Sequence, residues 1–327
     1  MAYRILVLSK SFGAGQGRRE KALQKIREAG HEVSAARIDE IPTTCDGFDA
    51  AIVGTDKIGG AFLEKVPGIA SVVKFGVGVD NIDISECTKR GVLVGRLPGL
   101  NTEAVAEFAL AMILSCARMI PRYDASMKAR SWERTIGYPI HGRTLGIIGT
   151  GAIGRTLARF CSGLNMRILG YDSFPSAEFV QECGGCYVPL EDLLRTADFV
   201  SVHVPLTDGT RGMIRAPQLD LMKPTAFLIN TARGGIVDER DLLDALERGS
   251  IAGAGLDVFE HEPPDFDGLV GHPRVVASPH VGAYTLDTLE AMEDCAIRTA
   301  VNLIQGVEIT SAVNPEALEY RRGQSCS

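Results

Sequence analysis

The sequence has no excess of positive charge. It carries 34 Lys and Arg residues against 41 Asp and Glu residues, which gives a formal net charge of -7 at pH 7. A chain of this charge is repelled by nucleic acid and by anionic membranes, so neither is expected as a partner. No apolar run reaches the ~18 residues that a transmembrane helix needs, and the N-terminal residues do not form a signal-peptide pattern. We therefore expect a cytoplasmic protein.

The sequence also lacks the cysteine spacing of a disulfide framework or a zinc site. Its eight cysteines are scattered, and the only CxxC pattern is Cys183 to Cys186, with no second pair or histidine cluster near it. Reduced thiols are the expected state. We expect no metal site, and we interpret residues 183–186 as a loop that leads into a strand at Tyr187.

A phosphate-binding loop of the nucleotide-triphosphatase type is missing as well. The glycines of residues 13–17 follow the first predicted strand, but no Gly-Lys-Ser or Gly-Lys-Thr accompanies them. We expect this segment to be a mobile connection.

What the sequence does contain is a regular alternation of strand and helix patterns. Strands are predicted at 4–9, 32–36, 49–53, 71–75, 144–148, 166–171, 198–204, 225–230, 251–258 and 274–277, and helices at 17–29, 238–248 and 285–305. This alternation is typical of an α/β fold with parallel sheets.

The length of 327 residues, with 45% hydrophobic and 23% charged residues, suits two globular domains. Breaks near Pro98 and at 279–286 predict that a domain of residues 101–284 is inserted into one built from 1–100 and 285–327. An apolar helical pattern runs from Asn101 to about Met127. Because it is apolar on more than one face, we expect it to be buried between domains or subunits, as part of a homodimer.

Residues 143–172 contain the most informative motif. A buried strand ends at Ile148, the glycines Gly149, Gly151 and Gly154 follow, and a helix begins near Ile153. Gly149 permits the turn, Gly151 lets the backbone approach a pyrophosphate, and Gly154 allows close packing of helix and strand. A second strand ends on Asp172, 18 residues after Gly154, where its carboxylate can bind the ribose hydroxyls of NAD and repel a 2′-phosphate. A glycine-rich turn without a cofactor is the alternative.

Reactive side chains follow three of the later predicted strands. Arg233 lies after 225–230, Asp257 lies at the end of 251–258 with Glu262 after it, and His280 follows 274–277. The carboxyl ends of parallel strands share one edge of a sheet, where ligands bind. Arg233 suits the carboxylate and carbonyl of a 2-oxo acid, and His280 can donate a proton if a carboxylate such as Glu262 stabilises its imidazolium. The ordinary alternatives are a solvated loop arginine for Arg233, one of several charges in residues 260–264 for Glu262, and a satisfied loop histidine for His280.

Several segments together resemble the D-isomer-specific 2-hydroxyacid dehydrogenases, particularly their phosphoglycerate dehydrogenase-like members. They are residues 74–83, 149–154, 203–207, 230–239, 255–263 and 278–282. The resemblance implies two doubly wound parallel-sheet domains, with a Rossmann domain for NAD inserted into a flavodoxin-like substrate domain. It implies transfer of a hydride between nicotinamide and C2 of a small D-2-hydroxy acid or 2-oxo acid.

The same resemblance implies roles for individual residues. Arg233, Glu262 and His280 form the catalytic trio. Contacts with NAD are implied for Gly149, Gly151, Ala152, Ile153, Gly154, Asp172, Val204, Thr231, Asp257 and Gly282, with Asp257 holding the carboxamide. Lys74, Val77, Gly78 and Arg233 are the implied substrate contacts, with the backbone amides of Val77 and Gly78 on the carboxylate.

Two departures leave the substrate open. Relatives that oxidise phosphoglycerate often hold its phosphate with two arginines, one after the third strand and one before the 75–80 loop. This chain has no arginine at either place: residues 53–57 end in Lys57, and Lys74 precedes the loop. A lysine binds an anion only as a point charge. Longer relatives have a C-terminal regulatory domain, whereas this chain stops about 12 residues after Pro315. Feedback control by serine through such a domain is therefore not expected. The alternatives are a glyoxylate or hydroxypyruvate reductase, a phosphonate-type dehydrogenase, and an NAD(H)-sensing corepressor-like binding protein.

Overall fold

The computed structural model describes residues 1–42 and 45–324. The chain divides into two compact units, which we describe separately. Met1–Asn101 and Tyr284–Ser327 form the terminal unit, and Thr102–Ala283 form the central unit. Both are α/β units built on parallel sheets, as the sequence predicted.

The N-terminal part of the terminal unit alternates strands and helices. Its elements are β1 (Arg4–Val7), α1 (Arg18–Glu28), β2 (Glu32–Ala35), β3 (Ala50–Val53), α2 (Gly60–Lys65), β4 (Ser71–Lys74), α3 (Ile84–Lys89) and β5 (Leu93–Gly95). All five strands are parallel, in the order β2-β1-β3-β4-β5. This order is that of a flavodoxin-like sheet. The buried runs of β3 and β4 have no exposed face, as expected for strands covered by helices on both sides.

The central unit begins with two helices and continues as a longer alternation. Its elements are α4 (Thr102–Arg118), α5 (Ile120–Lys128), β6 (Thr144–Ile148), α6 (Ala152–Gly163), β7 (Arg167–Tyr171), α7 (Ala177–Cys183), β8 (Cys186–Tyr187), α8 (Leu190–Thr196), β9 (Phe199–Val202), α9 (Ala216–Leu219), β10 (Phe227–Asn230), α10 (Glu239–Arg248), β11 (Gly253–Leu256) and β12 (Val275–Ala277). The chain then returns to the terminal unit with α11 (Leu286–Gln305) and α12 (Ala317–Gln324).

The seven strands of the central sheet are parallel, in the order β12-β11-β10-β9-β6-β7-β8. The order reverses at β6, where the chain goes outward to β7 and β8 and then returns to β9. This is the Rossmann order with one further strand, and it places the crevice for a dinucleotide at the carboxyl ends of β6 and β9.

The predicted helix of residues 101–127 is two helices. Met119 adopts a left-handed backbone with φ 54°, and α5 begins with Pro121 in its first turn. Proline lacks the amide hydrogen that a continuing helix needs, so the chain breaks here and the two axes differ by 63°. Ala109, Ile113 and Ala117 on α4 are fully buried within the central unit's own core.

Among the described residues, no single helix is long and apolar enough to cross a membrane. The helices α4 and α5 reach the length and apolar composition of a membrane span only when they are counted as one bent helix. Most of the apolar face of α4 is buried in the central unit.

The predicted helix ends agree with the structure where a capping residue marks them. Asp238 accepts a hydrogen bond from the amide of Asp241 at the start of α10, and Gly249 ends that helix in a left-handed conformation. Thr285 and Gly306 do the same for α11. Such caps satisfy backbone groups that the helix itself leaves unpaired.

The 13–17 segment, expected to be a mobile connection, is bonded to α11. The buried carboxylate of Glu293 accepts hydrogen bonds from the amide of Gly13 at 3.2 Å and from Arg18 at 3.3 Å, and it pairs with Lys25 at 3.0 Å. A buried carboxylate requires such partners. Within the terminal unit, the start of this segment is therefore bonded to α11 through the cluster of Glu293, Arg18 and Lys25.

Candidate active site

The carboxyl edge of the central sheet collects most of the residues that the sequence singled out. Gly149 follows β6, Asp172 follows β7, Val204 follows β9, Thr231 and Arg233 follow β10, Asp257 follows β11, and His280 follows β12. Because all these strands are parallel, their carboxyl ends lie at one edge.

The three motif glycines occupy three different environments. Gly149 has φ +97°, and a Cβ there would lie 2.7 Å from the backbone of His203 and Val204. A Cβ on Gly154 would overlap the carbonyl oxygen of Gly149. Around Gly151, by contrast, nothing lies within 4 Å of a Cβ position. The first glycine therefore makes the turn, the third packs helix against strand, and the second leaves open space at a helix N-terminus.

That helix N-terminus suits a pyrophosphate. Gly151 is the N-cap of α6, and no side chain caps the first turn. Because glycine has no side chain, Gly151 cannot cap the first turn of α6 as Asp238 caps that of α10, and such a terminus favours an anion. The residues fit the diphosphate of a dinucleotide.

Asp172 is held against the glycine loop. Its Oδ2 atom accepts hydrogen bonds from the amide and the hydroxyl of Thr150, at 2.7 and 3.2 Å, and its Oδ1 atom accepts one from the amide of Phe174 at 2.8 Å. The carboxylate thus stands at the end of β7 in a fixed orientation, where the resemblance implies a ribose.

His280 and Glu262 form a direct pair. The imidazole Nδ1 atom lies 3.0 Å from Oε1 and 2.9 Å from Oε2 of Glu262, so the other ring nitrogen, Nε2, is the one that can face a substrate. Burial alone raises the pKa of Glu262, but the hydrogen bond from His280 and its positive charge, with smaller contributions from the amide of Phe259 and from Arg233, hold that pKa below its usual value. The carboxylate therefore stays ionised where it faces the imidazole.

A second histidine at the same edge has a different environment. His203 follows β9, its Nε2 atom lies 2.8 Å from the Ser201 hydroxyl, and burial lowers its pKa to about 4. It is neutral near pH 7. Of these two histidines, His280 alone faces a carboxylate, which makes it the better proton donor.

The loop after β10 brings Arg233 beside this pair. The buried Asn230 side chain donates to the Arg233 carbonyl at 2.8 Å and accepts from the Ala232 amide at 3.1 Å, which fixes the turn. A Cβ on Gly234 would overlap the backbone of Phe259, so only glycine lets the loops after β10 and β11 approach this closely. The positive charge of Arg233 contributes to the lowered pKa of Glu262.

Asp257 holds the segment that carries His280. Its Oδ1 atom accepts from the Ser278 hydroxyl at 2.6 Å and the Val281 amide at 2.9 Å, and its Oδ2 atom accepts from the Gly282 amide at 2.8 Å. Burial raises the pKa of Asp257, and these three hydrogen bonds and the charge of His280 oppose that rise. His280 itself has φ 54°, an unusual conformation for a residue with a side chain, and its amide donates to the Asp257 carbonyl at 2.8 Å.

Thr231 provides a further feature of this edge. Its side chain is 8% exposed, and its hydroxyl oxygen has no hydrogen-bond partner within the described part of the chain. Buried hydroxyls are almost always paired, so an unpaired one at a site edge is compatible with a ligand acceptor or donor.

The remaining predicted site residues lie in the terminal unit, at the carboxyl end of β4. Val77 and Gly78 are in the half-buried loop between β4 and α3. Lys74 is buried, and its ammonium donates to the Gly54 carbonyl and to the Asn81 side chain, both at 2.7 Å. The lysine therefore joins the loops after β3 and β4.

Four residues that take part in these hydrogen-bond networks were not among the site residues that the sequence predicted. Thr150, Asn230 and Ser278 stand next to motif residues, and their small polar side chains at strand ends were a usable signal. Tyr187, which contacts Thr150, gave no such signal, because it lies 37 positions along the chain.

Residues 110–282 match the family model for the D-isomer specific 2-hydroxyacid dehydrogenase, NAD binding domain. The chain is 42% identical over 319 residues to a glyoxylate reductase of Korarchaeum cryptofilum, covering 92% of this chain and 95% of that protein. It is 38% identical over 323 residues to a D-3-phosphoglycerate dehydrogenase of Bacillus subtilis, covering 97% of this chain and 60% of that protein.

Among solved structures, the chain resembles an NADPH-dependent glyoxylate/hydroxypyruvate reductase of Sinorhizobium meliloti in complex with NADP and malonate. The TM-score is 0.84 at 29% identity, over 97% of this chain and 98% of that one. These relatives are oxidoreductases, so the corepressor-like alternative receives no support. With the parallel sheets and the matched cofactor domain, they show that the chain belongs to the D-isomer-specific 2-hydroxyacid dehydrogenases and is an enzyme of that family that uses NAD.

Proposed function

We propose that this enzyme reduces a small, unphosphorylated 2-oxo acid of the glyoxylate and hydroxypyruvate type, with NADH preferred over NADPH. The similarity to a glyoxylate reductase along nearly the whole of both chains supports the substrate class. The similarity to a phosphoglycerate dehydrogenase is nearly as high and leaves 3-phosphohydroxypyruvate as the competing substrate.

The observation that carries the choice is the environment of Lys74. Its ammonium is buried and donates to Gly54 and Asn81, and the residue after β3 is Gly54, which has no side chain. A Cβ at that glycine would lie 3.3 Å from the Cα of Ser9, so the end of β3 is closely packed. A phosphate needs charged or multiple donors that reach it. An ammonium already bound to two oxygens of the protein is poorly suited to that task.

The proposed chemistry assigns one task to each residue of the trio. Arg233 holds the carboxylate and carbonyl oxygen of the substrate, and the backbone amides of Val77 and Gly78 bind the carboxylate. When bound, the nicotinamide supplies the hydride for C2. His280 gives its proton from Nε2 to the carbonyl oxygen, and Glu262 keeps the imidazole charged until that transfer. In the oxidative direction, His280 must be neutral to accept the hydroxyl proton.

The proposed cofactor contacts follow the central sheet edge. Gly149, Gly151, Gly154, Ala152 and Ile153 surround the pyrophosphate. Asp172 accepts the ribose hydroxyls and repels a 2′-phosphate. Val204, Thr231, Asp257 and Gly282 surround the nicotinamide end. Solved structures similar to this chain include one complexed with NAD and an NADPH-dependent one complexed with NADP, so we assign the preference for NADH to Asp172 and not to the fold.

The decisive experiment compares kcat/KM for glyoxylate, hydroxypyruvate and 3-phosphohydroxypyruvate with NADH and with NADPH, read at the nicotinamide absorbance. We expect the two unphosphorylated acids to exceed the phosphorylated one by at least about 10-fold. A higher kcat/KM for 3-phosphohydroxypyruvate would contradict the proposed substrate, and equal use of the two cofactors would contradict the proposed preference.

We also propose that two copies of the central unit form a homodimer. Several large apolar side chains on α5 and the segment after it are exposed: Ile120 by 56%, Met127 by 55%, Trp132 by 72% and Ile136 by 88%. A concentration of exposed apolar side chains in one segment favours burial against a partner. We propose a second copy of this chain as that partner, because the sequence also leads us to expect a homodimer.

A further inference from the structure

Asp172 is oriented by a chain of side chains that begins outside the glycine motif. The Tyr187 hydroxyl lies 2.7 Å from the hydroxyl of Thr150, and Thr150 lies 3.2 Å from Oδ2 of Asp172. The amide of Ser176 donates to the Tyr187 oxygen at 3.0 Å. All four residues belong to the central unit.

The proton directions in this chain follow from its two ends. The carboxylate of Asp172 only accepts, so Thr150 donates its one hydroxyl hydrogen to it. The Thr150 oxygen must then accept from Tyr187, which in turn accepts from the Ser176 amide. Every hydroxyl hydrogen therefore points toward Asp172. Hydrogen bonds arranged head to tail polarise and strengthen one another.

The rest of the structure holds Tyr187 in place for this task. It lies on the edge strand β8, and its ring packs against Phe179 of α7 with centroids 5.0 Å apart. Thr150 is 2% exposed. The central hydroxyl of the chain, that of Thr150, is thus shielded from water, while the Oδ1 atom of Asp172 receives the Phe174 amide. The carboxylate is fixed from both sides.

We propose that Tyr187 is a positioning residue for cofactor choice: through Thr150 it fixes the Asp172 carboxylate in the orientation that accepts the ribose hydroxyls of NADH and repels the 2′-phosphate of NADPH. This inference rests on the role proposed above for Asp172. Without the Tyr187 hydroxyl, the Thr150 hydroxyl loses its donor and is free to rotate away from Asp172.

The test is the affinity of the purified enzyme for NADH and for NADPH, measured by fluorescence titration without a second substrate. We expect Tyr187→Phe to weaken NADH binding by about 3- to 10-fold, the effect of one or two lost hydrogen bonds, with a smaller change for NADPH. The cofactor ratio, which is the dissociation constant for NADPH divided by that for NADH, should therefore fall. The kcat at saturating NADH should stay within about twofold of the unmodified enzyme.

Thr150→Val should produce the same fall, and Thr150→Ser, which keeps the hydroxyl, should restore most of the ratio. The matched control is Tyr123→Phe, which removes a 2.7 Å hydrogen bond to the Thr135 carbonyl elsewhere in the central unit. It should leave the cofactor ratio unchanged. A purely structural role for Tyr187 would lower the melting temperature without moving that ratio.

A double-mutant cycle separates this inference from the role of Asp172. In an Asp172→Ala background, Tyr187→Phe should cause no further fall in the ratio. If Asp172→Ala lowers the ratio but Tyr187→Phe does not, the positioning role is wrong and the proposed role of Asp172 stands. If Asp172→Ala leaves the ratio unchanged, both are wrong. Additive effects of the two substitutions would also overturn the inference.

Discussion

Both carboxylate oxygens of Glu262 lie within 3.0 Å of the Nδ1 atom of His280. This contact joins the loop after β11 to the loop after β12, and it leaves Nε2 of the imidazole as the atom for proton transfer. In the proposed mechanism, this pair supplies the proton that accompanies hydride transfer to a 2-oxo acid. The first predictions concern this pair.

Replacing His280 by Ala should lower kcat for 2-oxo acid reduction by something on the order of 10² to 10⁴, because the carbonyl oxygen loses its proton donor. Single-turnover measurements with NADH isolate the chemical step. His141→Ala, at an exposed position of the central unit, is the control and should leave the rate unchanged. A His280→Ala enzyme with a near-normal single-turnover rate would show that another group is the acid.

Replacing Glu262 by Gln should move the acidic limb of the kcat/KM profile for 2-hydroxy acid oxidation to lower pH. Oxidation needs a neutral imidazole, and Gln removes the negative charge that favours the imidazolium. The measurement is the initial rate of NADH formation across about pH 4.5 to 8.5, roughly two units on either side of the ordinary histidine pKa. A limb that does not move would contradict the pairing as a catalytic device.

The Glu262 carboxylate also predicts a pH dependence of stability. Its pKa in the folded protein lies below the ordinary value of 4.5, so its contribution is complete above about pH 4.5 and is lost as the pH falls through the lowered pKa. The difference in melting temperature between the unmodified enzyme and Glu262→Gln should therefore be constant near pH 7 and shrink below pH 4.5. A melting-temperature difference that grows as the pH falls would contradict a stabilising role for the ionised Glu262 carboxylate.

Replacing Asp257 by Asn should lower both stability and kcat. Three donors face the carboxylate, and an amide offers them only one acceptor oxygen, which leaves the N–H of either Val281 or Gly282 facing an NH₂ group. We expect a loss of about 1–3 kcal/mol in urea unfolding, with a reduced kcat because the His280 segment loosens.

Ser278→Ala is the matched control for Asp257, because it removes one donor, leaves each carboxylate oxygen with an amide donor, and places no two donors against each other. It should cost less in both measurements. If Asp257→Asn destabilised the protein but kept its full kcat, Asp257 would not position His280.

Replacing Ile136 by Glu should weaken the proposed dimer by about 10-fold or more, because a charge would be buried at the contact. Light scattering after size exclusion should give twice the chain mass of 35.0 kDa for the unmodified enzyme and a lower mass for the variant at micromolar concentration. Val180→Glu changes another exposed apolar residue of the central unit and should leave the mass unchanged. A monomer in every case would contradict the dimer.

The sequence predicted the long elements better than the short ones. The helices α10 and α11 have clear periodicity and capping residues, and the structure confirms them. Short helices such as α2, α3 and α9 were not predicted, because four to six residues are too few to show a helical period. The break at Met119 was also missed, although Pro121 marked it.

What the sequence determined by itself is local or modular: the parallel α/β class, the glycine turn with Asp172 after it, and a set of reactive side chains at strand ends. These follow from hydrophobic period, from backbone freedom and from the rule that parallel strands end at one edge. None of them requires knowing which distant residues touch.

The sequence proposes Glu262 as the partner of His280, but only the tertiary structure decided which of the neighbouring carboxylates makes that contact and where the other polar side chains turn. Glu262 contacts His280, whereas Glu260, two residues earlier, donates its amide to Glu239. Lys74 turns to Gly54 and Asn81, and Tyr187 reaches Thr150 from across the edge of the sheet. Such contacts join residues that are far apart in the chain, and side-chain direction depends on packing around each loop, so neither composition nor spacing fixes them.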